Sequence, residues 1–171
     1  MQKIGRHLAL TNNEHSFYCA WASIGPNERT EIKGVFVEVK HTIAPVVNFL
    51  SMCMSHASHD VAPMPGVIVH YDKLLLSATD NASVSEALQL FTTMGRDFAS
   101  QDATPKSMLD KVISQMVKYG YLIEYSRSDD SYKFTGKLDY FYEVLTFLSE
   151  NEKITQSKDE LDNEPKQRAL S

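Results

Sequence analysis

The sequence predicts an α+β protein: an N-terminal β-hairpin and a buried helix packed on a C-terminal unit of helices and a small hairpin, followed by a frayed or disordered polar tail. Three observations carry this expectation. Two β-type runs, 17–24 and 32–39, flank the turn signal Gly25-Pro26-Asn27, and Val35, Val37 and Val39 alternate in the second. Residues 43–57 are apolar nearly all round (Val46, Val47, Phe49, Leu50, Met52, Cys53), as a helix buried on several sides would be. From residue 83 onward, two amphipathic segments, two short strand-like runs and a third amphipathic segment follow in order.

Each element has its own local reason. Residues 1–13 show no clear period. Thr42 is placed to cap the apolar helix, with Pro45 in its first turn. Pro63 and Pro65 break the chain, 67–69 is a short β-branched run, and 71–78 fits helix or strand equally. Ser83 and Glu86 have capping-box spacing, and Val84, Ala87, Leu88, Phe91 and Phe98 then share one helical face. Thr104-Pro105 is an N-cap followed by proline at the first helical position; Leu109, Val112, Ile113 and Met116 form the stripe, and Gly120 supplies the left-handed stop. Residues 121–126 and 131–135 are strand-like on either side of Arg127-Ser128-Asp129-Asp130. The last helix, 138–150, puts Leu138, Phe141, Leu145 and Leu148 on one side. The expected division is a hairpin-plus-helix portion (1–80), a second portion (81–150) and a tail (151–171).

Composition narrows the function classes. The 171 residues are 43% hydrophobic, enough for a core without staples, and the net charge of −5 argues against wholesale coating of nucleic acid or anionic membrane. Two distant cysteines, Cys19 and Cys53, make no disulfide framework, which favours a reduced, cytoplasmic setting. Residues 1–10 hold no apolar stretch of signal-peptide length, and no run approaches the roughly 20 apolar residues of a membrane span. No GxSxG, P-loop, HExxH or GxGxxG occurs, so no enzyme and no cofactor is expected. His70 beside Tyr71 and Asp72 is a lone histidine. Phe17, Tyr18 and Trp21 are expected in the core rather than stacked on nucleobases.

Residues 108–122, Met108 through the Lys118-Tyr119-Gly120-Tyr121-Leu122 stretch, together with the order of elements over 83–135, resemble the recognition helix and wing of the winged helix-turn-helix superfamily. For the second helix of the trihelical unit the chain offers only 96–103 or, alternatively, 72–79. The resemblance implies a transcription-regulator-like protein associated with double-stranded DNA. Lys106, Ser107, Lys111, Ser114, Gln115 and Lys118 would face the groove, and Arg127 and Lys133 on the wing would meet phosphate. Over 104–137 six basic residues (Lys106, Lys111, Lys118, Arg127, Lys133, Lys137) meet four acidic ones (Asp110, Glu124, Asp129, Asp130), a balance of +2.

Two other classes stay open. Tyr140, Val144 and Phe147 lie off the main stripe of the last helix and offer a second apolar surface for a homodimer or a protein partner. The chain would then be a non-enzymatic adaptor, as winged-helix subunits of chromosome-associated assemblies are. Cys53, His56 and His59, at three-residue steps, are weak metal candidates for a metal-dependent enzyme. The competing expectation is that Cys53 is a buried apolar residue and the histidines mark a helix end.

Overall fold

A computed structural model describes residues 5–57, 62–100 and 102–162, with side chains as far as residue 150. The chain begins with a hairpin of β1 (Arg6–Leu10) and β2 (Phe17–Trp21), paired antiparallel with Leu8 opposite Cys19 and Leu10 opposite Phe17. The long helix α1 (Pro26–Ala57) follows, then β3 (Ile68–His70), α2 (Tyr71–Asp80) and α3 (Ala82–Leu90). Two 3-10 turns, Phe91–Thr93 and Arg96–Phe98, lead to α4 (Pro105–Lys118). The chain then runs through β4 (Leu122–Ser126) and β5 (Ser131–Phe134) into α5 (Lys137–Asp162). The second sheet has the order β3-β5-β4, antiparallel throughout, with β3 crossing the expected boundary at residue 80 to pair with β5. The α+β class is therefore as expected. Among the described residues no helix is long and apolar enough to cross a membrane.

The N-terminal half departs from the expectation. Residues 32–39 are not a strand but part of α1. Their alternating valines also satisfy a helical spacing, because Ile32, Val35, Phe36 and Val39 stand at i, i+3, i+4 and i+7, and the stripe runs on through Ile43, Val46, Leu50 and Cys53. Packing of the buried part of that stripe, from Val39 on, holds the helix, which extends back through 32–38 and outweighs their β propensity. Gly25-Pro26 starts the helix instead of turning a hairpin: Pro26 takes the first helical position, and the Gly25 N–H donates to Glu28 Oε2 at 2.9 Å, half of a capping box. The real hairpin uses 6–10, where no period was legible.

Thr42 does not cap; it lies inside α1 and its hydroxyl donates to the carbonyls of Glu38 and Val39 at 3.2 and 3.1 Å. Pro45 is likewise internal and leaves the His41 carbonyl without its helical donor, which exposure of His41 to water offsets. Asn81, not Ser83, caps α3, its Oδ1 accepting from the amides of Ser83 and Val84 at 2.9 and 3.4 Å. The extended backbone of Asn81 brings its short side chain to the helix start, directly after α2 ends. Phe98 is buried as expected but on a 3-10 turn after Gly95 (φ +124°), not on a continuous helix. The tail from 151 is helical as far as Asp162: no glycine or proline interrupts 137–162, and Glu, Lys and Gln are good helix formers.

One core runs through the molecule. The C-terminal half of α1 (Val46, Phe49, Met52) packs with Leu74, Val84, Leu88, Phe91, Leu109, Met116, Tyr121, Phe134, Leu138 and Phe141, all nearly inaccessible. Phe49 meets Phe134 at 5.9 Å between ring centroids, and Tyr121 meets Phe141 edge-on at 5.5 Å.

Candidate nucleic-acid and protein interfaces

Helix α4 buries the stripe expected of it and turns Lys106, Asp110, Lys111, Ser114 and Lys118 outward. Its start is the expected cap, the Ser107 N–H donating to Thr104 Oγ1 at 3.3 Å. Its end is a Schellman motif: Gly120 has φ +78°, its N–H reaches Val117 O at 2.9 Å, and the Tyr121 N–H reaches Met116 O at 3.0 Å. The base of the β4–β5 hairpin is stitched to this helix end, with Thr135 Oγ1 donating to Gly120 O at 2.6 Å. Lys137 Nζ donates to Tyr119 O at 2.8 Å and to Glu38 Oε1 at 3.0 Å, so this cation, counted in the +2 balance, ties α1, α4 and α5 together.

The residues expected to face a DNA groove differ in how free their side chains are. Lys111, Ser114 and Lys118 are exposed, and among the described residues neither lysine is ion-paired. Lys106 is bound to Asp110 Oδ2 at 3.1 Å. Ser107 is half-buried in the helix start. Gln115 turns back, its Nε2 donating to Asp97 O at 3.2 Å, while its Oε1 is buried without a hydrogen-bond partner among the described residues. On the hairpin, Arg127 Nε donates to Glu124 Oε1 at 2.8 Å, and Lys133 Nζ sits 4.8 Å from the Tyr125 ring centroid. The hairpin tip is also held, since the Tyr71 N–H donates to Asp130 O at 2.9 Å.

Between α4 and the sheet lies a cavity of about 320 Å³ lined by Tyr71, Asp110, Ser114, Val117, Glu124 and Tyr132. The Tyr71 hydroxyl donates to Asp110 Oδ1. Burial, and then Asp110, hold the Tyr71 hydroxyl above its ordinary pKa, and burial followed by Asp130, Glu124 and Asp110 does the same for Tyr132. Of the carboxylates that face these hydroxyls, Asp110 is paired with Lys106 and Glu124 with Arg127.

The opposite face of the sheet is different. Cross-strand register aligns Ile68, Lys133 and Ile123 in one row, and Tyr125 joins them through its contact with Lys133. Ile123 is 47% and Tyr125 55% exposed, and Ile68 is exposed as well. The signal was available in the sequence as Ile123 and Tyr125 at period 2, but which face the alternation served was not.

The remaining candidates are dispersed. On α5, Val144 is buried, Tyr140 is covered by the Tyr18 ring at 5.7 Å, and Phe147 is 53% exposed with its ring 6.5 Å from Phe36. Cys53 is buried and its thiol is pushed up to about 12 by desolvation. His56 Nδ1 lies 2.6 Å from Ser77 Oγ, and burial, then Lys73 and His70, lower its pKa. Both line an apolar cavity of about 500 Å³ with Met64, Ile68 and Phe134. His59 lies outside the described residues, and among those described no group of three or more His, Cys, Asp or Glu is placed to hold a metal. Phe17 is not core but 67% exposed, and Tyr18 and Trp21 are half-buried. A two-stranded sheet has too little neighbouring structure to cover both its faces.

Sequence reasoning missed the joint that holds the hairpin. Asp139, 1% exposed in the first turn of α5, accepts from Ser16 Oγ at 2.7 Å and from Thr11 Oγ1 at 3.5 Å. Gly136 leaves room for this, since a Cβ there would stand 2.7 Å from Ser16 Oγ. Neither a protein-family model, a curated protein nor a solved structure matches the chain.

Proposed function

We propose that this protein is a non-enzymatic interaction subunit in which a winged-helix unit, α2 through β5, docks a protein partner. The winged-helix assignment draws its support from the β3-β5-β4 order, the short hairpin after α4 and the glycine stop between them. The choice of protein over DNA rests on one observation above the others: the outer face of the sheet exposes Ile68, Ile123 and Tyr125 around Lys133, whose ammonium lies over the Tyr125 ring, while Arg127 is paired with Glu124. Exposed aromatic and aliphatic residues on a rigid sheet suit an apolar partner surface, and β4, at the edge of its sheet, offers free backbone groups as well.

The test is affinity purification of the tagged chain from its own cells at high salt. A partner retained there, and lost from the Ile123→Glu, Tyr125→Glu variant, is the expected result, because apolar burial is not screened. Retention of the same partner by that variant contradicts the assignment of this face.

A second reading has its own observation. Lys111 and Lys118 are exposed on α4 without an ion-pair partner among the described residues, which supports a contact with phosphate. Under that reading the protein is a DNA-associated regulator, and Lys111→Glu with Lys118→Glu abolishes duplex binding while leaving the fold intact.

A further inference from the structure

The proposed function assigns no role to the cavity of about 500 Å³ at the end of α1. Its walls are apolar: Met54 and Ala57 on α1, Met64 and Val67 on the segment before β3, and Val69 and Phe134 on the sheet. The walls are also pinned. Tyr142 on α5 donates its hydroxyl to Pro63 O at 2.7 Å. The Gly66 N–H donates to Phe134 O at 2.9 Å, and the Phe134 N–H to Val67 O at 3.0 Å. Pro63 and Pro65 further restrict this segment. A cavity held in this way resists collapse, and its lining lacks the dispersion contacts that packed neighbours would give.

Two imidazoles interrupt the apolar lining. His56 Nδ1 lies 2.6 Å from Ser77 Oγ. Its Nε2 and both ring nitrogens of His70 have no hydrogen-bond partner among the described residues, yet each keeps accessible surface. His70 presents at least one N–H in any protonation state, and His56 presents another when Ser77 donates to its Nδ1. The charges that act on His56 are those of Lys73 and His70, and no carboxylate is among them. Lys73 is exposed on α2 and has no ion-pair partner among the described residues. Cys53 also lines the cavity, but burial pushes its thiol up to about 12, so it stays neutral and part of the apolar wall.

We infer that this cavity binds a small amphipathic monocarboxylic acid, with its apolar chain against Met54, Met64 and Phe134 and its carboxylate at His56 and His70. The volume falls in the range of small-molecule sites, about 300–1,000 Å³, which pair an apolar lining with a few polar groups. A wholly apolar ligand would leave both imidazoles unpaired in contact with it, and a hydroxyl-rich one would lose its hydration to walls that cannot replace it. Two ring N–H groups suit one carboxylate, whereas a phosphate brings more charge and more acceptor oxygens than they satisfy. The site stands whichever macromolecule docks on the winged-helix unit.

The test is calorimetric titration of the full chain with hexanoate, octanoate and octan-1-ol, with the histidine and methionine signals followed by NMR. Octanoate is expected to saturate and to shift the ring signals of His56 and His70 and the methyls of Met54 and Met64. Affinity is expected to rise about four-fold per added CH2 from hexanoate to octanoate, as removal of each CH2 from water requires. Octan-1-ol, with the same chain and no charge, is expected to bind about ten-fold more weakly. Lys73→Glu, at an exposed position, is expected to weaken octanoate several-fold and leave octan-1-ol unchanged. Ala57→Trp, also at an exposed position, is expected to fill the cavity and abolish binding of both. Should a variant fail to fold, the ligand series on the unaltered chain still decides. The inference is overturned by absence of saturation with octanoate, by an affinity independent of chain length, or by octan-1-ol binding as tightly as octanoate. Shifts centred on the exposed hairpin residues Leu8 and Phe17, or undiminished binding by folded Ala57→Trp, overturn it equally.

Discussion

Two regions of this chain carry large apolar side chains at comparable density and dispose of most of them in opposite ways. Between residues 69 and 144, Leu74, Leu88, Phe91, Met116, Tyr121 and Phe141 are almost wholly removed from water. Between residues 6 and 38, Leu8, Leu10, Phe17, Val35, Phe36 and Val37 are left in it. The first region is closed by geometry: helices on one side of a three-stranded sheet, α3 and α4 capped by Asn81 and Thr104, the sheet stitched to α4 through Gly120, Thr135 and Lys137. The second is a two-stranded hairpin and an isolated half-helix, which have too few neighbours to enclose anything. The lesson is that apolar content alone does not make a core. Where the elements cannot surround it, the same content stays at the surface.

Core substitution should separate the regions most sharply. Phe141→Ala, at a site without accessible surface and in contact with Tyr121, is expected to cost about 3–5 kcal/mol in denaturant unfolding, enough to abolish folding of a marginal chain. Leu8→Ala, on the outward hairpin face, is expected to change the stability of the isolated chain by less than about 0.5 kcal/mol.

The joint between the regions comes next. Asp139→Ala leaves Ser16 Oγ without its acceptor and is expected to cost about 1–3 kcal/mol. Hydrogen exchange should localise the damage, with the amides of β1 and β2 losing protection while those of α4 keep theirs. Uniform loss across both would mean that the hairpin is integral to the core and not an appended element. Gly120→Ala forces a left-handed residue with a Cβ, and the nearest side-chain atom, Lys137 Cδ, is at an ordinary 3.8 Å. The expected cost is therefore the backbone strain alone, about 1–2 kcal/mol by thermal unfolding.

The smallest effect is a pH dependence from His56. Its folded pKa lies below the ordinary 6.5, chiefly through burial and then through Lys73 and His70. Below 6.5 the unfolded chain binds the proton more readily, so stability falls as the pH drops from about 6.5 toward the lowered folded value, and recovers above it. His56→Gln should flatten that part of the profile. An unchanged slope would assign it to other groups.

The legible parts of the sequence were those whose signals are local. Thr104-Pro105, the stripe Leu109, Val112, Ile113 and Met116, and Gly120 each act within a few residues, and α4 with its hairpin lies where they put it. Residues 26–41 misled because Val35 and Val39 satisfy period 2 through Val37 as well as the helical stripe that leaves Val37 out, and only continuity with Ile43 and Val46 decides. Pro26 and Glu28 did announce the helix, but a turn uses the same residues. The joint of Thr11 and Ser16 with Asp139 spans more than a hundred positions, and no local rule reaches it. Of the candidate site, the outward placement of Lys111 and Lys118 followed from helical period. The engagement of Gln115 by Asp97 depended on a tertiary neighbour, whereas Arg127 and Glu124 stand only three residues apart and pair locally through the turn between β4 and β5.

Protein docking against DNA docking on the α2–β5 unit is decided most directly by fluorescence anisotropy of a labelled mixed-sequence duplex, titrated with the full chain at low and moderate salt. The account predicts no saturable binding at moderate salt, and at most weak binding at low salt, because Lys106 and Arg127 are already paired with carboxylates and Lys133 lies over the Tyr125 ring. Tight binding that falls steeply with salt and disappears in the Lys111→Glu, Lys118→Glu variant would contradict it and make the duplex the partner.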